Sequence, residues 1–233
     1  MIAVVSSTIK PVIQAGKTLS AFSFEERLDQ TKHTLTRLRE CGFDAIFLVD
    51  NSPLLSQTEL EGLLSDFVNV KAFHLLQYQF QNKGITELLM LLFATDHLPP
   101  GQPVFKISGR YYPSADFKKP DFEDFAVRKY VFENKAEMIS TRGYWAKDAK
   151  TLEHFLLWCL DEVFAYPERV VGIKSFIGKL FRKKDIINNP LNISIELAAA
   201  NILKKYNNRV SLLDNIGIEG YVAGIGHTEK IVE

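Results

Sequence analysis

The chain is poor in cysteine, in net charge and in long apolar runs, and each shortage excludes something. Two cysteines in 233 residues, Cys41 and Cys159, cannot build a disulfide framework. Each lies in an apolar helical stretch, where a buried free thiol is the expected state. Lys+Arg and Asp+Glu both number 28, so the formal charge is zero and the basic excess of a general nucleic-acid binder is missing. Any anion site must therefore be local. No stretch approaches the roughly 20 apolar residues that span a bilayer. The opening MIAVVSSTIKP has neither the basic n-region nor the apolar run of a signal peptide. These features lead to the expectation of a cytoplasmic protein. Internal repeats and low-complexity linkers are lacking too, so one domain over residues 1–233 is expected. What remains is ordinary globular composition, 46% hydrophobic and 24% charged, which argues against disorder.

The first half alternates between two patterns. Ile2 to Val5 is a short apolar run ending in Ser6-Ser7-Thr8, as a buried parallel strand feeding a loop would be. A helix follows, opened by the Ser23/Glu26 capping box, faced by Leu28, Leu35 and Leu38, and stopped at Gly42. Asp44 to Val49 is a second buried strand, ending in Asp50-Asn51-Ser52-Pro53. Ser56 to Phe67 reads as a helix and Val70 to Leu75 as a strand. Ile85 to Ala94 is an apolar helix opened by Asn82-Lys83-Gly84. Pro103 to Ile107 is a fourth strand, ending in Ser108-Gly109-Arg110-Tyr111. Such alternation implies an α/β fold with a mostly parallel, Rossmann-like sheet and right-handed crossovers. Ligands of such sheets bind beyond the carboxyl ends of the strands. Those ends carry SST, DNS and SGRY. In the second half, Thr151 to Phe164, Ile173 to Lys184 and Ile193 to Tyr206 read as helices, and Tyr130 to Ile139 as strand or hairpin.

The order of SST, FSFEERLDQTKHTL, VDNS, NKGITELLML and FKISGRYY over residues 1–115 resembles a group of glycosyltransferases of the glycosyltransferase-A type. Members are encoded near bacterial surface-polysaccharide genes and in some large viruses. The resemblance implies a nucleotide-sugar-binding half (1–115) followed by a helical acceptor-binding half (116–233). It also implies a nucleotide-sugar donor and a glycan or lipid-linked acceptor. The wider fold commonly ends its fourth strand in an Asp-x-Asp pair holding a divalent metal. Here Lys106-Ile-Ser-Gly-Arg110 stands in that place, so Mn or Mg dependence is left open and no metal ligand is assigned. Lys106 and Arg110 become candidates for neutralising the departing phosphate directly. Arg110 pairing with a structural carboxylate is the alternative.

The remaining donor-site candidates are Ser6, Ser7, Thr8, Asp50, Asn51, Asn82, Lys83, Gly84, Glu87, Ser108, Gly109 and Tyr111. Hydroxyls at the first strand end suit a base or ribose. Asp50 suits a nucleoside, although DNSP is also an ordinary turn sequence. Asn82-Lys83-Gly84 offers an anion a helix start, a cation and close approach, with Glu87 one turn further on. Glu196, in the first turn of a later helix, is the candidate catalytic base, ahead of Asp148, Asp214 and Glu219. Tyr111, Tyr112, Tyr144 and Trp145 could form an aromatic platform or simply pack. His227 could complete a phosphate site, although the five histidines show no metal-ligand spacing. Ile173 to Lys184 is basic and amphipathic, a candidate for peripheral membrane contact or an ordinary packed helix. Two rival functions stay open. One is a sugar nucleotidyltransferase, whose usual glycine-rich loop after the first strand is matched poorly by SSTIKPVIQAGK. The other is a silent nucleotide- or glycan-binding module.

Overall fold

The computed structural model describes residues 1–11, 13–14, 17–18, 22–78, 80, 82–131, 137–165, 177, 193–224 and 227–233. The chain runs β1 (Ile2–Ser7), β2 (Ile13–Gln14), β3 (Lys17–Thr18), α1 (Phe24–Glu40), β4 (Ala45–Asp50), α2 (Gln57–Leu63), β5 (Val70–His74), α3 (Lys83–Thr95) and β6 (Val104–Ser108). It continues through β7 (Tyr111–Pro113), β8 (Phe125–Val131), β9 (Glu137–Ala146), α4 (Ala149–Ala165), α5 (Ile195–Leu203), β10 (Val210–Leu213), β11 (Ile218–Gly224) and β12 (His227–Val232).

Seven strands form the main sheet in the order β10-β8-β9-β6-β1-β4-β5. The four expected strands, β5, β4, β1 and β6, are parallel neighbours, with Ser7 beside Asp50 and Ser6 beside Ser108. The chain therefore reverses its order across β1, and the polar ends of β1, β4 and β6 lie together at that reversal. β9 is antiparallel to β6 and to β8. Right-handed crossovers put α1 and α2 on one face of this sheet and α3, which returns across β1, on the other. α3 packs on α4, and α4 on α5.

Local signals explain the first half. Ser23 and Glu26 form both bonds of a capping box, Ser56 and Glu59 repeat the device on α2, and Gly42 leaves α1 at φ +77°. β1 is buried along its whole length, as a strand covered on both faces must be. Strand alternation sends Phe105 and Ile107 to the α1 face, where Phe105 meets Phe43, Phe117 and Trp145. It sends Lys106 to the α3 face.

The expected helical C-terminal half is corrected. Residues 116–233 carry the strands β8 to β12 as well as α4 and α5. β11 and β12 form a hairpin that joins β7 in a second sheet, β12-β11-β7. The helix expected over Ile193 to Tyr206 stops at Leu203 and continues as a 3-10 turn over Lys204–Arg209. The basic amphipathic stretch 173–184 lies outside the described residues except Ile177. No helix among the described residues is long and apolar enough to cross a membrane.

Gly84 shows how closely α3 and α5 meet, since a Cβ added there would run into Ile195 Cγ2. Gly84→Ala is expected to lower unfolding stability by about 1–3 kcal/mol through overpacking. In urea titrations, Gly84→Ala and Ile195→Ala together should cost less than the sum of the two alone.

Candidate functional site

The site floor is built around one carboxylate. Glu87, one turn into α3, accepts at Oε1 from Lys106 Nζ at 2.6 Å, Ser6 Oγ at 2.8 Å and Ser108 Oγ at 3.3 Å. Lys106 also donates to Ser108 Oγ at 3.1 Å and to the Thr141 carbonyl. The lysine side chain is 1% exposed and the glutamate 24%, so the ammonium is sealed while the carboxylate keeps an edge towards solvent. Burial alone would raise the Glu87 pKa. Lys106 and the two hydroxyls outweigh it and hold the carboxyl below its ordinary value. Lys106 is thus a buried counter-ion for α3.

A second carboxylate ties the neighbouring loops. Asp50 is fully buried and accepts from Ser7 Oγ at 2.6 Å and from the backbone of Ile9 and Ser52, both at 2.8 Å. Thr8 Oγ1 donates to Asn51 Oδ1 at 2.5 Å, and Ser52 Oγ accepts from Lys10 N. Ser7, Asp50 and Asn51 therefore fix the ends of β1 and β4 against each other. The Asp50 oxygens are occupied inside the loop.

Above this floor three cations converge. Arg27 donates to the Thr8 carbonyl from the start of α1, Lys83 is the first residue of α3, and Arg110 occupies the turn after β6. Burial, and then the charge of Arg110, hold Arg27 down to about 10, with Asp50 opposing. Lys83 is exposed, and its pKa is lowered by partial desolvation and then by Arg27 and Arg110. Two of the three stand at helix N-termini, where the macrodipole is already positive. Mutual repulsion of this kind is relieved by an anion. The sequence reading found Lys83 and Arg110 but missed Arg27. Its signal was a cation at the start of a helix, where the dipole disfavours one.

The other candidates divide by what they touch. Asn82 caps α3, accepting from Gly84 N at 3.0 Å and donating to the Ile193 carbonyl at 2.9 Å. Gly84 lets α3 approach Ile195 closely. Gly109 is wedged between Ser7 and Thr31. Tyr111 is buried, and Tyr144 and Trp145 are buried in the core, so an aromatic platform of these residues is corrected. Tyr112 meets His33 edge-on. Thr141 Oγ1 donates to Glu196 Oε1 at 3.4 Å, which places Glu196 beside the Lys106 network. Asp148 caps α4 through Thr151 N, and Glu219 pairs with Lys230. The His227 side chain lies outside the described residues.

The turn bearing Arg110 is gripped from α1: Thr34 donates to the Tyr111 carbonyl at 2.8 Å and Arg37 Nε to that of Pro113 at 3.1 Å. Among the described residues no three His, Cys, Asp or Glu side chains come together to hold a metal ion. The donor set here does not fit a carboxylate-held divalent cation. An apolar cleft of about 150 Å³, lined by Met138, Ile139, Leu203 and neighbours, shares no residue with the cation cluster.

No protein-family model matches the sequence, and no curated protein matches it. Solved structures do resemble the fold. The inositol-1-phosphate CTP transferase from T. maritima superposes with a TM-score of 0.50 at 11% identity, over 91% of this chain and 84% of that one. A Bacillus anthracis protein described as a glucose-1-phosphate thymidylyltransferase, solved with a sucrose, gives 0.47 at 10% identity over 94% and 88%. The chain has an α/β fold like that of the T. maritima inositol-1-phosphate CTP transferase.

Removing one partner of the floor pair isolates a buried charge. Lys106→Met is expected to cost about 3–5 kcal/mol in urea unfolding, and Lys106→Met with Glu87→Met to recover most of it. The Glu87 contribution also has a defined pH window. The stability gap between wild type and Glu87→Gln should be fully present above the ordinary value of 4.5. It should shrink as pH falls through the lowered folded value, measured by urea titration at stepped pH.

Proposed function

We propose that this chain is a nucleotide-sugar transferase whose reaction is nucleotidyl transfer to a sugar phosphate. The observation that carries the reading is the placement of Arg27 on the Thr8 carbonyl after β1, of Lys83 at the start of α3 and of Arg110 just after β6. In this reaction a phosphate oxygen of the sugar 1-phosphate attacks the α-phosphorus of a nucleoside triphosphate. The bond from the α-phosphorus to the bridging oxygen breaks, and pyrophosphate leaves with the electron pair. A triphosphate brings more negative charge than a diphosphate ester, and three cations with two helix N-termini suit the larger charge. Arg110 neutralises the departing pyrophosphate, Lys83 and the start of α3 hold its far phosphate, and Arg27 meets the charge from α1. The fold likeness to the T. maritima transferase supports the same class. No step is assigned to a metal ion.

Glycosyl transfer from a finished nucleotide sugar is the second reading. It is favoured by SSTIKPVIQAGK, a poor match to the glycine-rich loop of nucleotidyltransferases, and by Glu196 beside the Lys106 network as a base for an acceptor hydroxyl.

One assay pair separates these readings. Nucleoside triphosphates are offered with sugar 1-phosphates and pyrophosphate is followed; in parallel, UDP-, GDP-, dTDP- and CMP-sugars are offered with glycan acceptors and nucleotide release is followed. Pyrophosphate release that requires both substrates carries the first reading, acceptor-dependent nucleotide release the second, and binding without turnover a silent module. Arg110→Ala should lower kcat/KM by about 10²–10³-fold. Affinity for phosphates should fall as pH rises through the lowered Lys83 value, below the 10.5 of an ordinary lysine, because the neutral amine no longer attracts the anion.

A further inference from the structure

Glu233 lies far from the cations in sequence, yet its side chain is 2% exposed. Its Oε1 accepts from Arg128 at 3.0 Å and from Arg142, and its Oε2 accepts from Ser140 Oγ at 2.5 Å. Its backbone exchanges both hydrogen bonds with Ile218, at 2.6 and 2.7 Å, so the carboxylate is anchored by main chain as well. Arg142 hydrogen-bonds the buried Tyr111, and its guanidinium carbon is 5.8 Å from the centre of the Tyr111 ring. Arg110 approaches the same ring, at 5.9 Å. β11 closes on this segment: a Cβ on Gly220 would run into the Arg110 carbonyl oxygen and lie 2.6 Å from Tyr111 Cδ1. From Glu233 to Arg142 to Tyr111 to Arg110, the steps are an ion pair, a hydrogen bond and a cation within about 6 Å of a ring centre.

A flexible arginine at the mouth of a polyphosphate site loses rotamer freedom when it binds. One resting on a ring that is itself clamped has less freedom to lose. We propose that Glu233 is a positioning residue for Arg110, acting through Arg142 and Tyr111 to hold that guanidinium towards the anion. The proposal rests on the reading of Arg110 as a phosphate contact. It gives the second sheet, β12-β11-β7, a role in binding: the sheet carries the buried carboxylate that sets the arginine pair.

The test is calorimetric binding of inorganic pyrophosphate to the full chain, in wild type, Glu233→Gln, Arg110→Ala and the variant carrying both changes. Glu233→Gln should weaken binding by about tenfold. On the Arg110→Ala background the same change should alter affinity less than twofold, because the group it acts through is gone. A loss of similar size on both backgrounds means general damage and overturns the proposal, as does wild-type affinity in Glu233→Gln. Tyr111→Phe leaves the Glu233 cluster intact and removes only the hydroxyl that Arg142 reaches. It should weaken binding in the same direction by about threefold, again only when Arg110 is present, and no change would sever the chain of contacts at that step. If wild type fails to bind pyrophosphate, or Arg110→Ala binds as wild type does, the parent reading of the cation cluster fails instead.

Discussion

A lysine sealed inside a mixed sheet has to be answered by a buried anion, and the answer given by Glu87 organises the surroundings. One carboxylate oxygen joins β6 through Lys106 and Ser108, β1 through Ser6, and α3 through its own backbone. That fixes the azimuth of α3, and with it the direction in which its first residue, Lys83, presents its charge. Replacing such a pair by apolar side chains is commonly neutral or stabilising. Its presence is better understood as a device of registration than as a source of stability. α3 must sit at one rotation for its positive end to meet the ends of β1 and β6.

The same logic extends to the other face. Asp50 ties the loops after β1 and β4, and Thr34 and Arg37 of α1 hold the carbonyls of Tyr111 and Pro113. The turn carrying Arg110 is thus fixed from α1 on one side and from β11 on the other. Asp50 and Lys106, both buried, are bonded within this framework. The cations Lys83, Arg110 and Arg27 are exposed or half-buried beside it. In a polar cluster at a strand end, full burial with several donors marks a residue that shapes the site rather than one that touches a substrate.

The sequence showed its first half well because the signals there are local. Capping boxes at Ser23 and Ser56, the stop at Gly42 and four short apolar runs each specify their own element without reference to distant partners. The second half was less legible because its strands depend on pairing across long separations. β8 and β9 each carry two charged residues, and β11 is interrupted by Gly220. Their order in the sheet, β10-β8-β9-β6, follows neither sequence nor local pattern. The site was half legible for a related reason. Lys83 and Arg110 sit in short polar motifs at element ends. Arg27 lies in a charged helix start, FEER, where nothing but its conflict with the helix dipole sets it apart. Glu233 had no sequence signal at all, since a glutamate after an edge-like strand reads as a solvated charge.

The fold by itself does not choose between making a nucleotide sugar and spending one, since similar sheets host many chemistries. Charge bears on the choice more directly. Burial and then Arg110 lower Arg27, with Asp50 opposing, and burial, Arg27 and Arg110 lower Lys83, so the cluster concentrates positive charge. Both candidate reactions supply an anion, but they differ in when its charge is greatest. In nucleotidyl transfer the triphosphate enters with most of its charge and pyrophosphate leaves carrying slightly more. In glycosyl transfer the diphosphate ester enters with less and gains charge as the sugar departs. A cluster of cations rewards binding of the first substrate more, and rewards the transition state of the second more, since catalysis counts only interactions that strengthen on the way to it. A tightly held substrate with modest rate dependence on Arg110 therefore belongs with nucleotidyl transfer, and weak substrate binding with steep rate dependence belongs with glycosyl transfer.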